Sequence, residues 1–268
     1  MIWQLLRRTL VYKIMIGFFL LSTVLLLFLA LHRVSYIALC LLFLEEIVFF
    51  VLMVLSGMIQ AKAVMEEEWF DPFERQLDPQ RVKTAFLQDP VLADTPDGTN
   101  LMGICEIVLG HPEESVALFQ KALAKRPNKL NQTVLYCNCA IACLQLDQLD
   151  HAQSFLSQAK ESWAAVPIKQ RQKYQHKIPF ESIQMQIAYQ RKTIDPTAYI
   201  QYLKDMLWKE TMTLRKRMEI RYRLAILYHQ QKDDFHAFEQ LRWLDRFAAK
   251  TFYAKRVHAL LEKGVDAQ

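Results

Sequence analysis

Glycine is scarce in this chain: six occur, at positions 17, 57, 98, 103, 110 and 264 of 268. With so few, neither a GxxxxGK phosphate loop nor a GxGxxG dinucleotide fingerprint can be written anywhere, which excludes the commonest nucleotide-dependent enzymes. Strand patterning is missing as well. Beyond residue 99, Val, Ile and Thr nowhere alternate as a half-buried strand requires, and amphipathic helices broken by short polar turns take their place. No Ser-His-Asp or Cys-His arrangement shows a local catalytic signature. The expectation is a chain that is not an enzyme, with no catalytic residues and no cofactor.

Charge and hydropathy are unevenly spread, and the 52% hydrophobic content averages over two different regions. Residues 66–115 carry twelve acids against three bases, whereas from Pro167 onward twenty Lys or Arg face eleven Asp or Glu. The first quarter is apolar. Ile14 to Leu31 is an uncharged run of 18 residues, which at about 1.5 Å per residue just reaches the roughly 30 Å of a hydrocarbon core. A second apolar run, Val34 to Ile59, follows almost at once and argues against a cleaved signal peptide. The expectation is a transmembrane hairpin over 14–61, with spans at about 14–31 and 36–60 held in the lipid bilayer. Arg7, Arg8 and Lys13 before the first span put residues 1–13 inside, so both termini of this multi-pass protein are expected in the cytoplasm. Glu45 and Glu46 fall inside the second run, where an ionised acid costs at least about 2.5 kcal/mol. Two readings stand: a docking or proton-linked site for another membrane protein, or acids that are protonated, buried against the first helix, or interfacial.

Residues 62–98 combine acid with Pro72, Pro79, Pro90 and Pro96 and end in Pro-Asp-Gly, which reads as a linker with at most a short helix around Gln80 to Leu87. Beyond it a repeat becomes visible. From Gly103, small or bulky residues follow at fixed intervals: Ser115 at 12, Phe119 at 16, Ala122 at 19 and Pro127 at 24. Ala140, Ala152, Leu156 and Ala159 repeat the first four intervals, as do Ala225, Ala237, Leu241 and Leu244. A fourth unit around Tyr189, Ala198 and Tyr202 is weaker, with Gln186 where the small residue belongs. Small residues let two antiparallel helices approach, and one such unit cannot bury its own face, so neighbours must stack on it. This pattern resembles the tetratricopeptide repeat over about residues 99–250. The anchors Ser115, Ala152, Ala198 and Ala237 are 37, 46 and 39 apart, not the 34 of a regular array. The resemblance implies an all-α chain in which residues 99–268 form a degenerate solenoid of about four helical hairpins.

The same register disposes of the cysteines in CNCAIAC. Cys139 and Cys143 share a helix face where the repeat wants small buried side chains, while Cys137 points elsewhere, so packing is expected and not a metal site. His229, His236, Asp233 and Asp234 fall in a turn between repeat helices and are expected to be solvated.

In the family, groove residues come from the first helix of each hairpin. The resemblance therefore implies a concave groove formed by Asn100, Ile104 and Val108, by Cys137, Ile141 and Gln145, and by Tyr222, Ile226 and Gln230. The Lys and Asn set with which some members clamp a C-terminal carboxylate is not reproduced, so an internal, partly hydrophobic peptide or helix of a protein partner is expected. Arg215, Lys216, Arg217, Arg221 and Arg223 concentrate charge into one basic surface, suited to acidic lipid, an acidic partner or the chain's own linker, and less to nucleic acid. The functional expectation is a membrane-anchored scaffold or adaptor. The alternative is an accessory subunit of a membrane transport or envelope-assembly complex, docking through its hairpin.

Overall fold

The computed structural model describes residues 10–31, 36–88, 90–209 and 212–265, and all regular structure among them is helical. The chain divides into two compact units, one reaching to Trp69 and one running from Phe70 onward.

The first unit is a hairpin of α1 (Leu10–Leu31) and α2 (Tyr36–Met65). Phe18 packs on Phe49 at 4.3 Å and Phe19 on Phe50 at 5.9 Å between ring centroids. Glu46 accepts a hydrogen bond from the Ser22 hydroxyl, so this acid finds its partner inside the hairpin. The side chain of Glu45, residues 1–9 and the connection 32–35 lie outside what is described.

The expectation of a membrane-spanning hairpin is corrected here. Among the described residues no helix is long and apolar enough to cross a membrane. The multi-pass placement with both termini cytoplasmic falls with that expectation.

The second unit begins with core residues where a linker was expected. A wide helical segment over Glu66–Arg75 leads to Leu77, and Phe73 and Leu77 are buried. The short helix expected around 80–87 is α3 (Pro79–Leu87). Asp78 caps it by accepting the Arg81 amide hydrogen, and Pro79 sits in the first turn, where its missing N–H costs nothing. Val82 and Phe86 are fully buried. Lys83 reaches the buried carboxylate of Glu106.

Beyond α3 come four antiparallel hairpins: α4 (Pro96–Leu109) with α5 (Pro112–Ala124), α6 (Lys129–Gln145) with α7 (Leu149–Ala164), α9 (Phe180–Gln190) with α10 (Pro196–Leu207), and α11 (Leu214–Gln230) with α12 (Asp234–Ala248). A short α8 (Ile168–Tyr174) separates the second from the third, and α13 (Phe252–Val265) ends the unit.

Each hairpin opens with the same turn. Gly110, Asp147, Lys192 and Lys232 take left-handed backbone at φ 93°, 56°, 57° and 62°. In every case the next amide donates to the carbonyl five residues back: His111 to Glu106 at 2.8 Å, and Gln148 to Cys143, Thr193 to Ala188 and Asp233 to Tyr228 at 2.9 Å. This six-to-one bond closes the last turn of the first helix and satisfies one of its orphan carbonyls. The recurrence includes the hairpin 180–207, whose sequence signal is weak.

The small residues stand where two helices cross. A Cβ on Gly103 would lie 2.4 Å from the Phe119 ring, and Phe119 is fully buried among Ile107, Leu135, Cys139 and Ala142. Ala140, Ala152, Leu156 and Ala159 are buried with Ile183 and Ile187, and Ala225, Ala237, Leu241 and Leu244 are buried in the last hairpin. Helix α13 packs on α11 and α12 and also reaches α4. Its Phe252 ring would stand 2.5 Å from a Cβ on Gly110, so the C-terminal helix returns to the first hairpin turn and the array closes on itself.

Candidate functional site

Closure turns the concave side of the array into a cavity of about 520 Å³. Helix α6 contributes Ile141, Leu144 and Gln145, α9 contributes Gln186, Tyr189 and Gln190, and α10 contributes Tyr199. Helix α11 contributes Glu219, Tyr222, Arg223, Ile226 and Gln230, while α13 closes the space with Phe252, Tyr253 and Arg256. Five of the expected groove residues therefore meet here: Ile141, Gln145, Tyr222, Ile226 and Gln230. The others do not. Asn100 accepts from Asn138 at 2.8 Å, Ile104 packs on the core between the first two hairpins, and Val108 and Cys137 are buried.

The cavity wall is amphipathic. Tyr253 is T-shaped against Tyr222 at 4.7 Å and its hydroxyl accepts from Gln145 at 2.7 Å. Tyr189 stacks on Tyr199 at 4.8 Å and donates to Gln230 at 2.8 Å. Burial raises the phenols of Tyr189, Tyr222 and Tyr253 above the ordinary tyrosine value, so at neutral pH the wall presents hydroxyls and not phenolates. Among the described residues, the buried amide oxygens of Gln186 and Gln190 find no hydrogen-bond partner here. Burial opposes the charge of Arg223, but Tyr199, Glu219 and Tyr253 outweigh it and hold the group cationic.

The five expected basic residues do not share one surface. Arg215 pairs with Glu74 at 3.2 Å and Glu219 at 2.8 Å and lies over the Phe73 ring at 5.7 Å. Arg221 turns the other way, donating to Gln240 at 2.8 Å and covering Trp243 at 4.9 Å. Arg223 enters the cavity. Lys216 is half-buried, and burial with Arg215 beside it lowers its pKa; Arg217 is half-buried too. Adjacency in sequence spreads charge around a helix, since consecutive residues are about 100° apart. Among the described residues, the acidic segment meets this helix through Glu74 and Arg215.

The cysteines pack as small hydrophobes. Cys105, Cys137, Cys139 and Cys143 are all buried, and burial pushes the thiols of the first three up to about 12. Glu106, His111 and Glu114 bring ligand atoms within 4.8 Å of one another, a cluster that no sequence motif announced. Lys83 already supplies the cation there, paired to Glu106, and His111 Nδ1 lies 2.9 Å from the same carboxylate, so the group ties α3 to the first hairpin. His229, half-buried at the end of α11, contacts Asp234 at 3.2 Å, and His236, exposed in the first turn of α12, contacts Asp233 at 2.6 Å, so the two histidines flank the turn and do not lie in it.

What sequence reasoning missed is the contribution of α9 and α13. Gln186, Gln190, Tyr199, Phe252, Tyr253 and Arg256 line the cavity, yet Gln186 registers in the repeat only as a misfit and α13 lies outside the repeat. No model of a known protein family matches this chain, and no curated protein matches it either.

Proposed function

We propose that the second unit is a tetratricopeptide-like interaction module whose cavity holds a short segment of a partner protein. The carrying observation is the coincidence of five expected groove residues with two partnerless amide oxygens in one cavity. Buried polar groups without partners are costly, at about 1–3 kcal/mol each, and a peptide supplies the N–H and C=O groups that would satisfy them.

Main-chain hydrogen bonding decides between the forms of ligand. A helix keeps its main-chain N–H groups for its own carbonyls, so the acceptor oxygens of Gln186 and Gln190 favour a short extended segment instead. The chain then acts as an adaptor, not as an enzyme.

The test is a photo-crosslinking amino acid at Gln230, exposed at the cavity mouth, compared with one at Glu161, exposed on α7, in cells that make the protein. A discrete adduct from position 230 alone, mapping to one short peptide of one partner, is expected. Equal or absent adducts at both positions overturn the reading.

A further inference from the structure

The chemistry of the cavity narrows what it takes, and this step rests on the reading that it binds a peptide. Among the described residues, Arg215 and Arg191 each have a carboxylate within ion-pair distance, but none reaches Arg223. Glu219, one turn away on the same helix, gives its close contact to Arg215. Arg223 is therefore a cation with no carboxylate in ion-pair distance among the described residues, held against the Tyr199 hydroxyl and facing a cavity walled by four tyrosines. A guanidinium in such a place offers a planar fork of donors that matches one carboxylate.

The orphan amide oxygens have a different requirement. The Gln190 side chain donates through its nitrogen to the Leu144 carbonyl at 3.2 Å, which fixes its orientation and leaves its oxygen as an acceptor only. Gln186 presents a second such oxygen one helical turn earlier on α9. Acceptors at this spacing suit the N–H groups of an extended chain. At the mouth, exposed Glu113 and Asp147 outnumber one exposed base, Arg256, so residues flanking the inserted one on the Glu113 and Asp147 side are disfavoured if acidic.

We infer that the cavity reads an internal peptide segment with a single acidic side chain, its carboxylate on Arg223 and Tyr199, its main-chain N–H groups on Gln186 and Gln190, and neutral or basic neighbours at the rim. This departs from a basic surface on α11: four of the five charges play no part, and the fifth acts alone and inward. An acid-rich segment is rejected at the rim, so a protein with one Asp or Glu between Lys, Arg or polar residues is the partner class.

The experiment uses the purified full-length chain to select random linear peptides displayed on phage, alongside the variants Arg223→Gln, Arg223→Lys and Ile226→Trp, the last obstructing the cavity beside Arg223. Enrichment on the native chain of peptides sharing one Asp or Glu at a fixed register, flanked by non-acidic residues, is expected. The preference should vanish on Arg223→Gln. In the selected peptide, changing that acid to its amide should weaken binding roughly 10- to 100-fold, as loss of a charged hydrogen bond does. If Arg223→Gln does not keep the native helical signal, Arg223→Lys serves: it keeps the charge but loses the fork, so the preference should weaken and not disappear. Peptides enriched without a shared acid, or a preference unchanged in both Arg223 variants, overturn the acidic assignment and leave the cavity as a peptide site. Equal enrichment on native and Ile226→Trp chains, or none on either, overturns both.

Discussion

Replacing Gly103 by Ala sets two effects of known size against each other. Gly103 lies inside α4, where Ala is the better helix former by about 1 kcal/mol. Its missing Cβ, however, would stand 2.4, 2.8 and 2.9 Å from Cε1, Cδ1 and Cζ of Phe119. The ring cannot retreat, because it is fully buried and held by Ile107, Leu135, Cys139 and Ala142. Forcing a methyl into such a core costs about 1–3 kcal/mol, and three contacts under 3 Å place this case at the upper end. The net expectation is destabilisation by about 1–2 kcal/mol. A double-mutant cycle isolates the cause. Phe119→Ala alone should cost about 3–5 kcal/mol, but with the ring gone the Gly103→Ala methyl has room and its helix-forming gain of about 1 kcal/mol appears. The coupling is then about 2–3 kcal/mol, well beyond the scatter of independent sites. Urea unfolding followed by circular dichroism reads all four chains. If Gly103→Ala stabilises the otherwise native chain, or the two changes add within about 0.5 kcal/mol, the helix crossing described here is wrong.

Lys192→Gly and Lys232→Gly should each raise stability by about 0.5–1 kcal/mol in the same assay, because glycine removes the steric cost of a left-handed residue at less entropic cost; a loss in both would contradict the shared turn. Asp78→Asn keeps a capping oxygen for Arg81 but loses the ion pair to Lys250. Burial acts to raise the Asp78 pKa, yet Lys250 and the Arg81 amide outweigh it and hold it below the ordinary 3.8. The stabilisation is thus present above about pH 4 and lost as pH falls through the lowered value. Since Lys250 is largely exposed, the difference at pH 7 should stay under about 1 kcal/mol and shrink as pH falls below about 4; a difference that grows on acidification refutes it. With a thiol reagent at neutral pH, the exposed Cys40 should react at once and the four buried cysteines only on unfolding; fast reaction of a second thiol contradicts the packing of the cysteine-bearing helices.

Three of the four hairpins were legible because their crossings use Gly or Ala, and a missing side chain leaves a periodic mark in sequence. The hairpin from Phe180 to Leu207 hid for two reasons. Its first helix carries Gln186 where a small residue belongs, since that side chain turns to the cavity, and its turn uses Lys192 in a conformation that glycine usually announces. Only Gly110 of the four turn residues carries that sign. Residues 62–98 read as a linker with one short helix because acid and proline dominate the count, yet Phe73 before the break at 76–78, Leu77 within it and Val82 and Phe86 after it all turn inward. The cavity was half visible. Ile141, Gln145, Tyr222, Ile226 and Gln230 follow from helix register, a local property, whereas Tyr253 meets Gln145 across 108 residues and no local pattern carries such a contact. The basic cluster misled because charge counted along a helix is not charge on a face.

The central claim, that the closed concave cavity and no other surface takes the partner, is tested most directly by one comparison. A photo-crosslinker at Gln230 is installed in the native chain and in Ile226→Trp, whose indole obstructs the cavity, with urea unfolding used to match their stability. The account predicts that the adduct seen with the native chain falls sharply in the obstructed one while the melt is preserved. An adduct of undiminished yield from a folded Ile226→Trp chain would show that the partner binds elsewhere.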